Sequence, residues 1–201
     1  NIWNIKMLNN GINNLWSTPL YKTTIDQELC DKVLSVLMQI DTTDYANGKL
    51  SLLTIDDPAI KEFKKEVTKI FSYYFNEVLG MDLKNYRATY KAWAITARSP
   101  SIYSMPSHNH ASSPFVSVFY LFAQDTDLGG ELVINDPRAN ANRGYMIDFQ
   151  KPFAPIKFKP TSGDVVVFPG YAYHSINPFL SDLRVAVPVD LFLDVLDDDD
   201  G

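Results

Sequence analysis

Three histidines are all this chain has, and their spacing could build a metal site: His108-Asn109-His110 as a pair, then His174, with Arg184 ten residues further on. In an extended strand residues i and i+2 point to one face, so the rings of the pair would project together. A third, distant histidine can cap one side of a transition metal and leave the other side open. An arginine shortly after it could hold an anionic co-ligand beside the ion. Each piece alone is weak. An H-x-H pair can be two loop histidines, His174 between aromatic neighbours can be a packed ring, and Arg184 can be a surface cation. Zinc hydrolysis is the less favoured chemistry, because no carboxylate stands in an obvious general-base position beside the histidines.

The flanking sequence suggests how the four residues meet. His108 and His110 precede Ala111-Ser112-Ser113-Pro114, a turn, and then the β-prone run Phe115–Phe122. His174 follows Gly163-Asp164-Val165-Val166-Val167-Phe168-Pro169, which reads as a turn, a buried strand and a second turn. Arg184 opens the run Arg184-Val185-Ala186-Val187. A hairpin centred near Phe179 would pair His174 directly with Arg184, with Cβ atoms about 5 Å apart.

The elements that must hold this site read as a helical first part and a β-rich remainder. Leu29, Val33, Leu34, Leu37 and Ile40 predict a helix from about Asp26 to Ile40, with Thr24 and Gln27 as a capping box. A second helix is expected from Pro58 to about Leu79, with Asp57 as N-cap, Pro58 in the first turn and Gly80 at the stop. Its stripe of Ile60, Phe63, Val67, Ile70, Phe71, Tyr74 and Val78 reads as a core-facing surface. Strands are expected at Arg87–Ala97, Phe115–Phe122, Glu131–Ile134, Ile156–Phe158, Val165–Phe168, Tyr173–Ile176 and Arg184–Leu193. Turn signals such as Gly129-Gly130, Pro169-Gly170 and Asn177-Pro178 separate them, which predicts a sandwich or barrel. The expectation is one domain over residues 1–201. Helical support occupies about 24–80, a β-barrel core about 86–193, and an acidic tail 194–201.

Bulk properties narrow the partners. A length of 201 residues at 46% hydrophobic is enough for a substantial core, and 12 Phe, 11 Tyr and 3 Trp favour a sheet-rich interior. The net charge of −6 is mostly the C-terminal aspartates Asp194 and Asp197 to Asp200, so the body is close to neutral. Lys61, Lys64, Lys65 and Lys69 alternate with Glu62 and Glu66, as a solvated helix face does, and no nucleic-acid partner is expected. No apolar run approaches the roughly 20 residues of a membrane span, and the first ten residues lack a secretion profile. The one cysteine, Cys30, rules out an internal disulfide and falls on the apolar face of the first helix, as a core thiol. A soluble, cytoplasmic protein of a reducing compartment is the expectation.

Taken together, His108–Leu121, Gly129-Gly130-Glu131-Leu132, Gly163-Asp164 through Phe168-Pro169, His174 and Arg184 resemble the 2-oxoglutarate/Fe(II)-dependent oxygenases. Within that superfamily the chain is most similar to the prolyl-4-hydroxylase-like branch and to a group of oxygenases common in marine bacteria and phages. Leu15 to Tyr21 resembles that group's first strand. The resemblance covers most of the chain. It implies a mainly β fold with flanking helices, the double-stranded β-helix (jelly roll, cupin-like). It further implies Fe(II) as metal, 2-oxoglutarate and dioxygen as co-substrates, and hydroxylation of a peptide side chain or small molecule with release of succinate and carbon dioxide.

Carried over residue by residue, His108 takes the first ligand position, His174 the distal one, and Arg184 the place that pairs with the C5 carboxylate of 2-oxoglutarate. Tyr120 matches a tyrosine that helps hold that carboxylate, or it fills the barrel. His110 stands where the superfamily usually has Asp or Glu; it is expected to coordinate, which leaves the full ferrous charge uncancelled. Ala186 stands where many relatives have a hydroxyl residue. Two other readings stay open: a degenerate barrel acting as a binding or structural module, and a cupin-like three-histidine dioxygenase that uses no oxo-acid. The substrate and the oligomeric state are not legible.

Overall fold

The computed structural model describes residues 17–41, 43–46, 49–98, 102–110, 112–125, 127–138 and 154–196. Its elements in chain order are β1 (Tyr21–Thr24), α1 (Gln27–Gln39), α2 (Thr43–Ala46), α3 (Pro58–Leu79), β2 (Tyr86–Ala92), β3 (Ile95–Arg98), β4 (Tyr103–His108), β5 (Phe115–Phe122), β6 (Leu128–Gly129), β7 (Leu132–Ile134), β8 (Ile156–Phe158), β9 (Asp164–Pro169), β10 (His174–Leu180) and β11 (Leu183–Val195). Leu15 and Trp16, residues 139–153, and residues 197–201 of the acidic end lie outside the described residues.

Local chemistry sets the helix limits. The Asp57 carboxylate accepts from Ala59 N at 2.7 Å at the start of α3, and Gly80 ends that helix at φ 64°, a left-handed conformation glycine adopts without strain. For α1 the cap is Asp26, not Thr24: its carboxylate accepts from Glu28 N at 2.7 Å, while Thr24 is committed to β1 opposite Asp164. Asp57→Ala is expected to lower stability by about 1 kcal/mol, read as a small fall in the thermal midpoint without change in ligand binding.

Two sheets lie behind the helices. The first runs β1-β9-β5-β11-β2, with β3 also paired to β11; the second runs β4-β10-β7-β8, with β6 paired to β10. All pairings described are antiparallel. Strand alternation then sorts side chains into two cores. On one face of the first sheet Phe115, Phe119, Leu121, Val185, Val187, Val189 and Leu191 pack with Leu29, Val33, Phe63, Val67 and Phe71 of the helices. From the opposite face Val116, Val118, Tyr120, Val166, Phe168 and Ala186 meet Leu132 and Ile134 of the second sheet. The fold is mainly β with flanking helices, the double-stranded β-helix, and its interior between the sheets is where a site can form. Cys30 is fully buried, and burial pushes its thiol up to about 11, in keeping with a core residue. No helix among the described residues is long and apolar enough to cross a membrane.

Three expectations need correction, and one strand was not foreseen. The run Arg87–Ala97 is two strands, broken at Trp93-Ala94 where Trp93 N donates to Pro188 O at 3.2 Å. Strand β4 had no propensity signal because Pro106 lies inside it; as an edge strand it tolerates a residue without an N–H. Asn177-Pro178 is inside β10 and not a turn, accommodated by register shifts against β4. Finally, β10 and β11 are not a hairpin. His174 pairs with His108 and Ile134, Arg184 pairs with Ala97, and the two strands belong to different sheets. The chain crosses from one wall of the barrel to the other between Leu180 and Leu183, so Arg184 packs against Phe179 near the end of β10, while His174 stands at its start.

Candidate metal centre

His174 opens β10 and His108 closes β4, and these two residues are direct partners in the ladder. His110 lies just past the strand end, where its N–H donates to Gly170 O at 2.8 Å. The three rings converge: centroids are 4.4 Å apart for His108 and His174, 5.1 Å for His110 and His174, and 5.4 Å for His108 and His110. One ring nitrogen from each lies within 4.8 Å of the others, a group that could hold one metal ion.

The hydrogen bonds select which nitrogen. His108 Nδ1 lies 2.9 Å from Pro106 O, His174 Nδ1 3.1 Å from Ala172 O, and His110 Nδ1 2.7 Å from Asp190 Oδ1. Carbonyl and carboxylate oxygens only accept, so each neutral ring donates from Nδ1 and presents the Nε2 lone pair. His174 is buried, and that burial drives it down to about 4 against the opposing Ala172 carbonyl, with His108 and His110 adding to the depression. It is therefore a neutral imidazole at pH 7, the form that binds metals.

His110 is held on three sides. Besides Gly170 and Asp190, the Trp93 indole stacks on its ring at 5.6 Å and 19°. Gly170 has no room for a side chain, since a Cβ there would come within 1.8 Å of Ser113 O. Sequence reasoning missed Asp190, Trp93 and Gly170 as parts of the site. For Asp190 a signal was present: Arg184, Ala186, Pro188 and Asp190 occupy alternate positions of one strand, hence one face.

Deeper in the barrel, Arg184 is 4% exposed and Tyr120 is 1% exposed. The guanidinium sits over the Phe179 ring at 4.4 Å and over the Tyr120 ring at 5.3 Å, and its Nη2 donates to Gly130 O at 2.8 Å. Arg184 Nη1 and the Tyr120 hydroxyl are buried without a hydrogen-bond partner among the described residues. Burial lowers the Arg184 guanidinium from its ordinary value, while Tyr120, Asp127 and Glu131 pull it back up. Burial also pushes the Tyr120 phenol up to about 12, so it is a neutral donor. Two unpaired donors at one buried place are costly unless an anion completes them. Ala186 lines the same interior and offers no third donor.

Gly129 and Gly130 have φ of 82° and 77°, as their turn requires. A Cβ on Gly130 would lie 2.1 Å from Arg184 Nη1. Gly130→Ala should therefore displace the guanidinium. The expected result is a rise of about tenfold or more in the 2-oxoglutarate concentration for half-saturation, with little change in metal affinity by titration, because a misplaced buried charge-assisted hydrogen bond is worth about 1.5–3 kcal/mol. Glu131 is half-buried and its carboxylate accepts from Asn177 Nδ2 at 3.0 Å, which holds the group below its ordinary value. Arg138 pairs with Asp136 in the turn after β7.

A double-stranded β-helix that gathers three imidazoles at one strand end and buries an arginine behind them has the frame of a metal-dependent, oxo-acid-using enzyme. A family described as "Putative 2OG-Fe(II) oxygenase" matches residues 91–190, and the chain belongs to this 2OG-Fe(II) oxygenase family, with iron as metal and 2-oxoglutarate as co-substrate. No curated protein matches the sequence. Solved structures similar to this chain include a Pseudomonas putida prolyl-4-hydroxylase, at 14% identity and a TM-score of 0.60 over 87% of this chain and 88% of the other. The viral collagen prolyl hydroxylase of Paramecium Bursaria Chlorella virus-1 is 13% identical with a TM-score of 0.54, over 92% and 98%. HygX from Streptomyces hygroscopicus, solved with nickel, 2-oxoglutarate and hygromycin B, is 13% identical with a TM-score of 0.58, over 86% and 83%. These likenesses support the fold.

Proposed function

We propose that Nε2 of His108, His110 and His174 binds Fe(II), that Arg184 and Tyr120 bind the distal carboxylate of 2-oxoglutarate, and that the enzyme hydroxylates a peptide side chain or small molecule. The observation that carries this reading is the convergence of three Nε2 lone pairs, each freed because its Nδ1 is committed elsewhere. The unpaired Arg184 Nη1 and Tyr120 hydroxyl match the second requirement, a buried carboxylate. When bound, iron and 2-oxoglutarate supply oxidation by dioxygen, with one oxygen atom entering a substrate C–H bond and the other entering succinate as carbon dioxide leaves.

The chain's own part is binding and exclusion. The three imidazoles would hold the ion. Arg184 fixes the far end of the co-substrate, and Tyr120 donates beside it. Val116, Val118, Val166, Phe168 and Ala172 keep the interior apolar, so these few polar contacts act in a low dielectric. Burial of Arg184 against Tyr120 favours this over a three-histidine dioxygenase without oxo-acid, which has no use for that pair.

Substrate class is held to two alternatives because structural relatives include both prolyl hydroxylases and an enzyme solved with hygromycin B. Residues 1–201 are read as a single cytoplasmic oxygenase domain without a nucleic-acid or membrane partner. Lysines of the helical face support the latter by pairing with acids, as in Lys69–Glu66 at 2.8 Å and Lys32–Glu62 at 3.6 Å.

An anaerobic titration tests the assignment. Fe(II) with 2-oxoglutarate should give a visible charge-transfer band and, on admitting air, succinate. A metallated sample with no band would overturn the ligand assignment. A band without succinate under any substrate screened would point to the barrel that binds but does not turn over.

A further inference from the structure

We infer that Asp190 is a positioning residue of the metal centre: through the His110 ring it returns to the site the carboxylate that the third ligand position lacks. This rests on the ligand assignment just given. The three imidazoles are not equivalent. His108 and His174 donate their Nδ1 protons to neutral backbone carbonyls, whereas His110 donates to a carboxylate at the shortest of the three distances, 2.7 Å. Asp190 is 8% exposed and sits on an inward-facing position of β11, with its backbone held between Lys91 and Val116 in the sheet. A charge in that place is poorly screened, so its field reaches the ion.

The bond has two consequences. It fixes the Nδ1–H tautomer, which leaves Nε2 as the only lone pair His110 can offer, and it raises the electron density there, as outer carboxylates do for metal-bound histidines. It also places one negative charge one imidazole ring away from the ion. The net charge of ion plus Asp190 is then the same as with a directly bound carboxylate. Trp93 on the ring face and Gly170 on the backbone hold His110 in the plane this bond requires.

The test uses the full chain, stripped of metal, with Co(II) and Zn(II) as probes in competition with a chromophoric chelator. Asp190→Asn keeps shape and an acceptor but removes the charge, and Asp190→Glu restores it. Affinity should fall about 10–100-fold in Asp190→Asn, and Asp190→Glu should recover part of the loss. Long-range proton–nitrogen NMR spectra of the metal-free wild type should show the His110 proton on Nδ1. Asp190→Ala should release it to a mixture of tautomers. Wild-type affinity in Asp190→Asn, or an Nε2-protonated His110 in the wild type, would overturn the inference, and the second readout stands even if a variant fails to fold. A wild-type chain that binds neither metal would instead sink the ligand assignment, so the two failures are distinguishable.

Discussion

Arg184→Ala raises the 2-oxoglutarate concentration for half-saturation by roughly 30-fold to several-thousand-fold, since truncating one partner of a buried, hydrogen-bonded charge pair costs about 2–5 kcal/mol. The wild-type guanidinium reaches its binding position already locked, by Gly130 O at 2.8 Å and by the Phe179 and Tyr120 rings, so little ordering entropy remains to be lost on binding. Metal affinity measured without the oxo-acid should stay within a fewfold of wild type, because Arg184 and the imidazoles stand on different sheets and share no hydrogen bond. Arg184→Lys should not rescue: a lysine is a point charge without the planar fork that meets a carboxylate twice.

A second variant separates function from fold. Arg184→Met removes an incompletely paired buried cation and fills its volume with an apolar side chain, a change often neutral or stabilising. The metal-free variant should therefore melt at or above the wild-type temperature, yet show no thermal stabilisation by 2-oxoglutarate, where the wild type gains by mass action. A variant that melts far lower would make Arg184 a structural residue and remove the argument for its role. Tyr120→Phe, losing one neutral donor, should cost much less than either.

How much of this was legible in the sequence depends on the range of the interactions. Helix α3 was readable to the residue because its limits are local: Asp57 caps it, Pro58 opens it and Gly80 closes it. The histidine set was readable because residue type and rarity carried it. The connection between His174 and Arg184 was not, since hairpin reasoning assumes that neighbours in sequence pair, and here β10 and β11 join opposite walls of the barrel. Strand β4 was hidden by Pro106, whose tolerance depends on the strand being an edge, a fact of tertiary structure. Asp190 shared a strand face with Arg184 by alternation, but what it touches was hidden. Its partner His110 is 80 residues away, and only the completed barrel brings a β11 carboxylate against a ring that follows β4.

His174→Leu abolishes stoichiometric metal binding and, in the same protein, removes an acid-sensitive component of metal-free stability. Loss of a direct ligand should exceed the roughly 10–100-fold that loss of an outer partner costs, and leucine can neither coordinate nor titrate. The acid effect follows from linkage. His174 takes up its proton near 4 in the fold, against a model value of 6.5. A histidine depressed in the native state contributes stability that is complete above the unfolded value. That contribution is lost as pH falls from about 6.5 toward 4, because the unfolded chain binds the proton first. For a group buried this well the full difference is about 3 kcal/mol. Metal-free wild type should thus lose stability steeply over that window in denaturant titrations, while His174→Leu should show a shallower slope. The slopes decide the matter, so a constant offset from the orphaned Ala172 carbonyl or from altered packing against Phe168 does not disturb the comparison. Parallel slopes would mean that the His174 ring is reachable by water in the metal-free protein, and its standing as the preformed, neutral anchor of the metal centre would fall with that result.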